Sequence, residues 1–165
     1  MILAIDIHYK ENIATCVAVL FDWEDELPQR VITENLEGVY EYIPGEFYKR
    51  ELPCILALMK KIELKEIEIL IVDGHVYTDN ETYGLGGHTW EALEKKIPII
   101  GVAKRPFHNN GDTVKEVYRG GSKNPLYVSS IGMKLKKAEE YIQNMKGEYR
   151  MPTILTELDK VTKGN

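Results

Sequence analysis

The sequence predicts a single α/β domain over residues 1–165, with a central mixed sheet: an antiparallel meander first, parallel strands after it, helices on the flanks. Three observations predict this class. Two β-rich runs at the N-terminus are separated only by a short polar turn. Helical periodicity sets in after Pro44-Gly45. Two unbroken apolar runs, 67–73 and 98–103, bracket a helix-length segment, the pattern of a parallel strand–helix–strand crossover.

Residues 2–8 and 13–22 are rich in Ile, Val, Ala and Thr and read as strands joined at Lys10-Glu11-Asn12. The acidic Trp23-Glu24-Asp25-Glu26 with Pro28 makes a hairpin loop into a third strand, 30–36. From 46 to 62, Phe47, Leu52, Ile55, Leu56, Leu58, Met59 and Ile62 recur at helical spacing, and Pro53 predicts a kink or a fresh turn. The run 67–73 is a strand buried on both faces. Gly84-Leu85-Gly86-Gly87 leads into a helix from about His88 to Lys96, then Pro98–Ala103 forms another buried strand. Two weak strands follow near 113–118 and 125–129, and helices at about 133–146 and 153–162 close the chain.

Hydrophobic content of 44% and charged content of 28% are ordinary for a globular domain. No apolar stretch approaches a membrane span, and Met1-Ile2-Leu3 lacks a basic n-region, so a cytoplasmic protein without membrane contact is expected. Cys16 and Cys54 stand alone in apolar runs and read as reduced core residues. The net charge of −5 argues against nucleic acid as a partner, but its distribution argues back. Residues 104–137 carry a net +6 and the remainder −11, so this block is either a phosphate-contacting face that includes Arg105 or a set of solvated loops.

Two aspartates carry most of the functional information. Asp6 lies inside the apolar run Ile2-Leu3-Ala4-Ile5-Asp6-Ile7, and Ile69-Leu70-Ile71-Val72-Asp73-Gly74 repeats the arrangement downstream. A carboxylate inside an apolar strand is costly unless compensated. Two of them, with Glu51 on a predicted helix between, point to a shared divalent cation, Mg²⁺ or Mn²⁺, as a metal-dependent nuclease requires. The alternative is structural: Asp73 caps the turn before Gly74 and Asp6 pairs with a lysine.

The chain resembles the endonuclease V family, inosine-directed nucleases of the ribonuclease H-like superfamily, as a short divergent member. The segments that carry the likeness are Ala4-Ile5-Asp6, Glu41-Tyr42-Ile43-Pro44-Gly45 with Arg50-Glu51-Leu52-Pro53, Ile71-Val72-Asp73-Gly74, Gly84–His88, Ile97–Lys104 and Tyr127-Val128-Ser129-Ser130. The resemblance implies a ribonuclease H-like fold with Asp6, Glu51 and Asp73 as metal ligands. It implies Lys104 as a group reaching the phosphate or the attacking water, where the residue alone reads as a snorkelling surface lysine. It makes Tyr42-Ile43-Pro44-Gly45 a wedge that holds strands apart around an extruded base, where the residues alone allow a helix-entry turn. It places Gly74, Gly84, Leu85, Gly86, Gly87 and His88 against nucleic acid, with backbone amides free for a phosphate or a flipped base, although most such turns are only turns.

Three departures from the family pattern stand out. The chain starts directly at the first strand, where family members carry a preceding helical segment. The family's Ser-Pro-Gly-His stretch, whose His is expected to complete the metal site, becomes Ser129-Ser130-Ile131-Gly132-Met133. Asp-Gly-Gln-Gly becomes Asp73-Gly74-His75-Val76, which predicts a valine side chain at the base pocket. His75, Asp79 and His8 are the candidates to replace the missing His. The implied function is DNA-repair chemistry: metal-dependent hydrolysis of a phosphodiester in DNA or RNA near inosine. The alternatives are a nuclease-fold protein that binds nucleic acid without cutting it, and a small-molecule-binding α/β domain whose aspartates are structural.

Overall fold

The computed structural model describes residues 1–38 and 47–164. Among these residues β1 (Ile2–Lys10), β2 (Ile13–Phe21), β3 (Arg30–Glu37), β4 (Ile69–Asp73), β5 (Ile99–Ala103), β6 (Lys115–Val117) and β7 (Leu126–Ile131) form one sheet. Its order is β3-β2-β1-β4-β5-β7-β6. The helices are α1 (Phe47–Met59), α2 (Leu85–Ala92), α3 (Leu135–Asn144) and α4 (Thr153–Thr162). This is the mixed sheet of a ribonuclease H-like fold: β3, β2 and β1 pair antiparallel, and β1, β4 and β5 run parallel.

The β1–β2 hairpin is paired from Ile2↔Phe21 to Lys10↔Ile13, which leaves a two-residue turn whose first residue, Glu11, has a φ of 57°. Strand alternation sorts the core into two layers. Leu3, Ile5, Leu70 and Val72 pack with α1 and α2 residues such as Ile55, Leu58 and Leu85. Ile2, Ala4, Ile69 and Ile71 pack with Ala138 and Ile142 of α3 and with Ile154 and Leu158 of α4. Helices therefore cover both faces, which explains why β4 and β5 are apolar at nearly every position.

The helix expected over 46–62 is real, and Pro53 does not break it. Pro53 is solvent-exposed, where the carbonyl it leaves without a helical donor can face water. The helix expected from His88 to Lys96 instead starts at Leu85 and ends at Ala92, because the glycines belong to its first turn. Cys16 and Cys54 are both buried and free, as expected. The segment Tyr42-Ile43-Pro44-Gly45, expected as a wedge, lies outside the described residues. Among the described residues no helix is long and apolar enough to cross a membrane.

Candidate active site

β1 and β4 pair in parallel register from Ile2↔Ile69 to Ile5↔Val72. Asp6 and Asp73 are the next positions on each strand, and alternation aims both at the layer that holds α4. Both line a cavity of about 220 Å³ between the sheet and α4, together with Lys104 and Asp159. Burial, then the charge of Asp73, pushes the Asp6 carboxyl up to about 6, and Asp159 adds to the push. Asp73 opens to solvent at the strand end. Crowding by protein still shifts its carboxyl upward, against the pull of Lys104 and with the push of Asp159.

Asp159 is a candidate site residue that sequence reasoning missed. Ile154, Leu158 and Thr162 bury one stripe of α4, docking the helix on β1 and β2. Asp159 follows directly on that stripe, so docking delivers its carboxylate to the two aspartates. An acid flanking the apolar stripe of the last helix was the available signal. Where the sequence lacks the family's His, a carboxylate from α4 lines the same cavity as Asp6 and Asp73.

Glu51 arrives from the opposite layer. It lines a second cavity of about 180 Å³ along the second half of β1 and at the end of β4, with Asp6, Asp73, Tyr9 and Arg50. Glu51 is only 5% exposed. Burial pushes its carboxyl up to about 8, against the lowering influence of Tyr9 and Arg50 beside it. The Arg50 guanidinium carbon lies 3.4 Å from the centroid of the Tyr9 ring. The Tyr9 hydroxyl and Arg50 Nε are buried with no aligned hydrogen-bond partner among the described residues.

These features suit a hard divalent cation. The donors are carboxylate oxygens that disfavour one another's ionisation. Among the described residues, however, no three His, Cys, Asp or Glu side chains stand close enough to form a ready metal cluster. The aspartates face one layer, Glu51 enters from the other, and Asp159 is paired with Lys163 at 3.0 Å.

Two arginines fix the approach of α4. Arg119 is 5% exposed. It donates to the carbonyls of Met145 (2.6 Å), Gly147 (3.3 Å), Tyr149 (3.0 Å) and Arg150 (3.2 Å), gripping the loop between α3 and α4. Arg150 in turn donates to the carbonyls of Lys104 (2.7 Å) and Pro125 (2.5 Å). The loop that launches α4 is thus tied to the residue that closes the cavity. Arg119 is thereby lost to any phosphate-contacting face, whereas Lys104, Arg105, Lys115, Lys123, Lys134, Lys136 and Lys137 are exposed.

The three candidate substitutes for a histidine ligand are otherwise engaged or sit apart. Asn110 Nδ2 donates to His75 Nδ1 at 3.1 Å, which leaves His75 Nε2 protonated and donating to the Arg105 carbonyl at 2.8 Å. Burial lowers the His75 pKa, so the ring is held neutral with both nitrogens used. Asp79 accepts the backbone N–H groups of Glu81 (2.8 Å) and Thr82 (2.7 Å) as a turn residue. His8, half-buried on β1, lines neither cavity.

The glycine run has a packing role. Gly84 and Gly87 donate their N–H groups to the Val76 carbonyl, and Gly86 donates to that of His75. Those three amides are not free for a phosphate. A Cβ on Gly86 would stand 2.8 Å from Val76 Cγ2, and one on Gly87 2.4 Å from Tyr83 Cδ1. Val76 is fully buried beneath α2, so it does not fill an open base pocket as its sequence position suggested. Gly74, at φ 143°, turns the chain out of β4. His88 stacks on Tyr48 at 3.6 Å between ring centroids.

Residues 1–120 match the family model for Endonuclease V. The chain is 33% identical to Endonuclease V of Pyrococcus horikoshii, covering 99% of this chain and 73% of the relative. It is 31% identical to Endonuclease V of Sulfolobus acidocaldarius, covering 96% and 79%. Among solved structures it is similar to human ENDOV (TM-score 0.80, 18% identity, 99% of this chain and 82% of that one). It is also similar to Ciona intestinalis Endonuclease V in complex with a 24mer DNA containing an inosine followed by a ribo-adenosine (TM-score 0.83, 15% identity, 99% and 84%).

Proposed function

This chain belongs to the endonuclease V family, and on that premise we propose that it is a metal-dependent endonuclease acting on DNA or RNA beside deaminated bases, inosine in particular. In this reading the domain spans 1–165, works in the cytoplasm and serves nucleic-acid repair. One observation carries the reading: four carboxylates, Asp6, Glu51, Asp73 and Asp159, border two adjoining cavities at the middle of β1 and the end of β4, with Lys104 beside them.

Asp6, Asp73 and Asp159 would hold Mg²⁺ or Mn²⁺, with Glu51 reaching it from α1. When bound, the cation supplies a water of lowered pKa and neutralises charge on the phosphate. The protein's own groups do the rest. Lys104 sets a fixed positive charge near Asp73, where negative charge builds on the scissile phosphate. Arg50 Nε offers an unsatisfied donor on the Glu51 side, suited to a non-bridging oxygen or an ordered water. The α3–α4 loop, clamped by Arg119 and Arg150, keeps Asp159 at working distance. Tyr42-Ile43-Pro44-Gly45 and the surface of the Gly84–His88 turn, with Gly74 and Arg105, are the proposed contacts to nucleic acid.

The non-cutting reading rested on a missing histidine, and Asp159 supports the cutting one instead. The test is cleavage of DNA and RNA oligonucleotides carrying inosine, against unmodified controls, with Mg²⁺ or Mn²⁺ and then with chelator. Metal-dependent product that disappears in Asp6→Asn is the expected result. Product that survives chelation or Asp6→Asn overturns the mechanism.

A further inference from the structure

Phe107 sits where a nuclease has use for an aromatic ring. The loop 104–114 begins at Lys104, on the rim of the acid-lined cavity. It is locked to the loop after β4 by His75 and Asn110, which bond to the Arg105 carbonyl, to each other and to the Tyr77 carbonyl. Asn80 and Asp112 add two hydrogen bonds across the same seam, and Asp79 bridges Asn109. On this braced loop the Phe107 ring stands perpendicular to His75, 5.0 Å between centroids, and is still 48% exposed. Its neighbours Arg105 and His108 are exposed as well.

A half-exposed phenyl ring contributes little to a core, and its buttress is a buried histidine two residues after Asp73. Rigid placement of an aromatic ring beside an exposed arginine suits recognition of a single-stranded nucleic acid. The ring stacks on a base of any sequence, and the cation tracks the backbone. We propose that Phe107 is a stacking platform for an unpaired base next to the scissile phosphate, with Arg105 on the adjoining phosphate. The inference rests on the nucleic-acid reading above and adds a residue that sets affinity for the unpaired strand.

The test is fluorescence anisotropy of a labelled single-stranded oligodeoxynucleotide carrying inosine, with the full chain and metal chelated so that nothing is cut. Phe107→Ala and Phe107→Leu weaken binding about tenfold, and Phe107→Trp stays within about twofold of the parent. Stacking releases no counterions, so the Phe107 variants keep the parent's salt slope, whereas Arg105→Ala reduces it by about 0.7. The leucine variant keeps apolar bulk against His75, so it separates stacking from packing. If Phe107→Leu binds like the parent, or Phe107→Trp is as weak as Phe107→Ala, the platform is refuted while metal-dependent cleavage by the parent stands untouched. If the parent binds no oligonucleotide even at low salt, the nucleic-acid reading falls and takes the platform with it.

Discussion

Lys163 Nζ lies 3.0 Å from Asp159 Oδ2 on α4, an i,i+4 pair set beside Asp6 and Asp73. The lysine is held more firmly protonated by Asp159 first, and by Asp6 and Asp73 as well. It therefore occupies, with its own charge, part of the field that a divalent cation would use. Lys163→Gln is expected to tighten Mn²⁺ binding roughly threefold, as removal of a nearby like charge should. Asp159→Asn is expected to weaken it at least about tenfold. Isothermal titration of parent and variants decides this; equal affinities in all three proteins would remove Asp159 from the site.

The raised carboxyl groups make a signed prediction about pH. Asp6 goes from 3.8 to about 6 and Glu51 from 4.5 to about 8 in the metal-free fold, burial being the first cause in both. The native state then binds more protons than the unfolded chain between those values, so its stability falls as pH rises from about 4 to about 8. Millimolar Mg²⁺ or Mn²⁺ should reverse the trend at neutral pH by binding the native state alone. Melting temperatures at several pH values, with and without metal, should show it, and Asp6→Asn should flatten the lower part of the profile. A metal-free melting temperature that climbs between pH 5 and 8 would contradict this account.

Arg150→Ala should cost about 2 kcal/mol, because it strips charged donors from the Lys104 and Pro125 carbonyls. Arg119→Ala, which leaves four carbonyls without their buried partner, should cost more. Urea midpoints at unchanged slope measure both. For Arg150→Ala a loss of cleavage that is much smaller in an Asp159→Asn background would show that it acts through α4.

Gly101→Ala should be more damaging than Gly86→Ala. A Cβ on Gly101 would meet the Gly74 carbonyl oxygen at 2.5 Å and Ser129 Oγ at 2.8 Å, the latter being the acceptor for the Val76 N–H. Backbone cannot rotate aside as a side chain can. Gly86→Ala presses first on Val76 Cγ2 at 2.8 Å and then on Val76 Cα at 3.0 Å, so Val76→Ala should rescue it only in part. Costs of about 1–3 kcal/mol for Gly86→Ala and a larger one for Gly101→Ala are expected from chemical denaturation.

Much of this architecture was legible because it is written in local pattern. The unbroken apolar run before Asp73 announced a strand buried on both faces, and β4 is one. The family likeness implied Asp6, Glu51 and Asp73 as a set, and the three line one cavity. Asp159 escaped notice for a physical reason: four residues before Lys163 it reads as an ordinary surface ion pair, and only the docking of α4 on β1 and β2 gives it another meaning. The glycine run misled in the opposite direction. Its sequence advertises free amides, but where Val76 and His75 place their carbonyls is a tertiary fact. His75 was likewise judged by its nearness to Asp73, while its partners, Asn110 and the Arg105 carbonyl, come from 30 and more residues away.

The grip of Arg119 and Arg150 falls on main-chain oxygens, which every amino acid supplies. The side chains of the α3–α4 loop are consequently at liberty to drift, provided that the path of the chain and the two guanidinium groups persist. Tyr149, 75% exposed although its carbonyl is held, marks the point where a dye or an affinity handle could be attached without slackening the helix behind it.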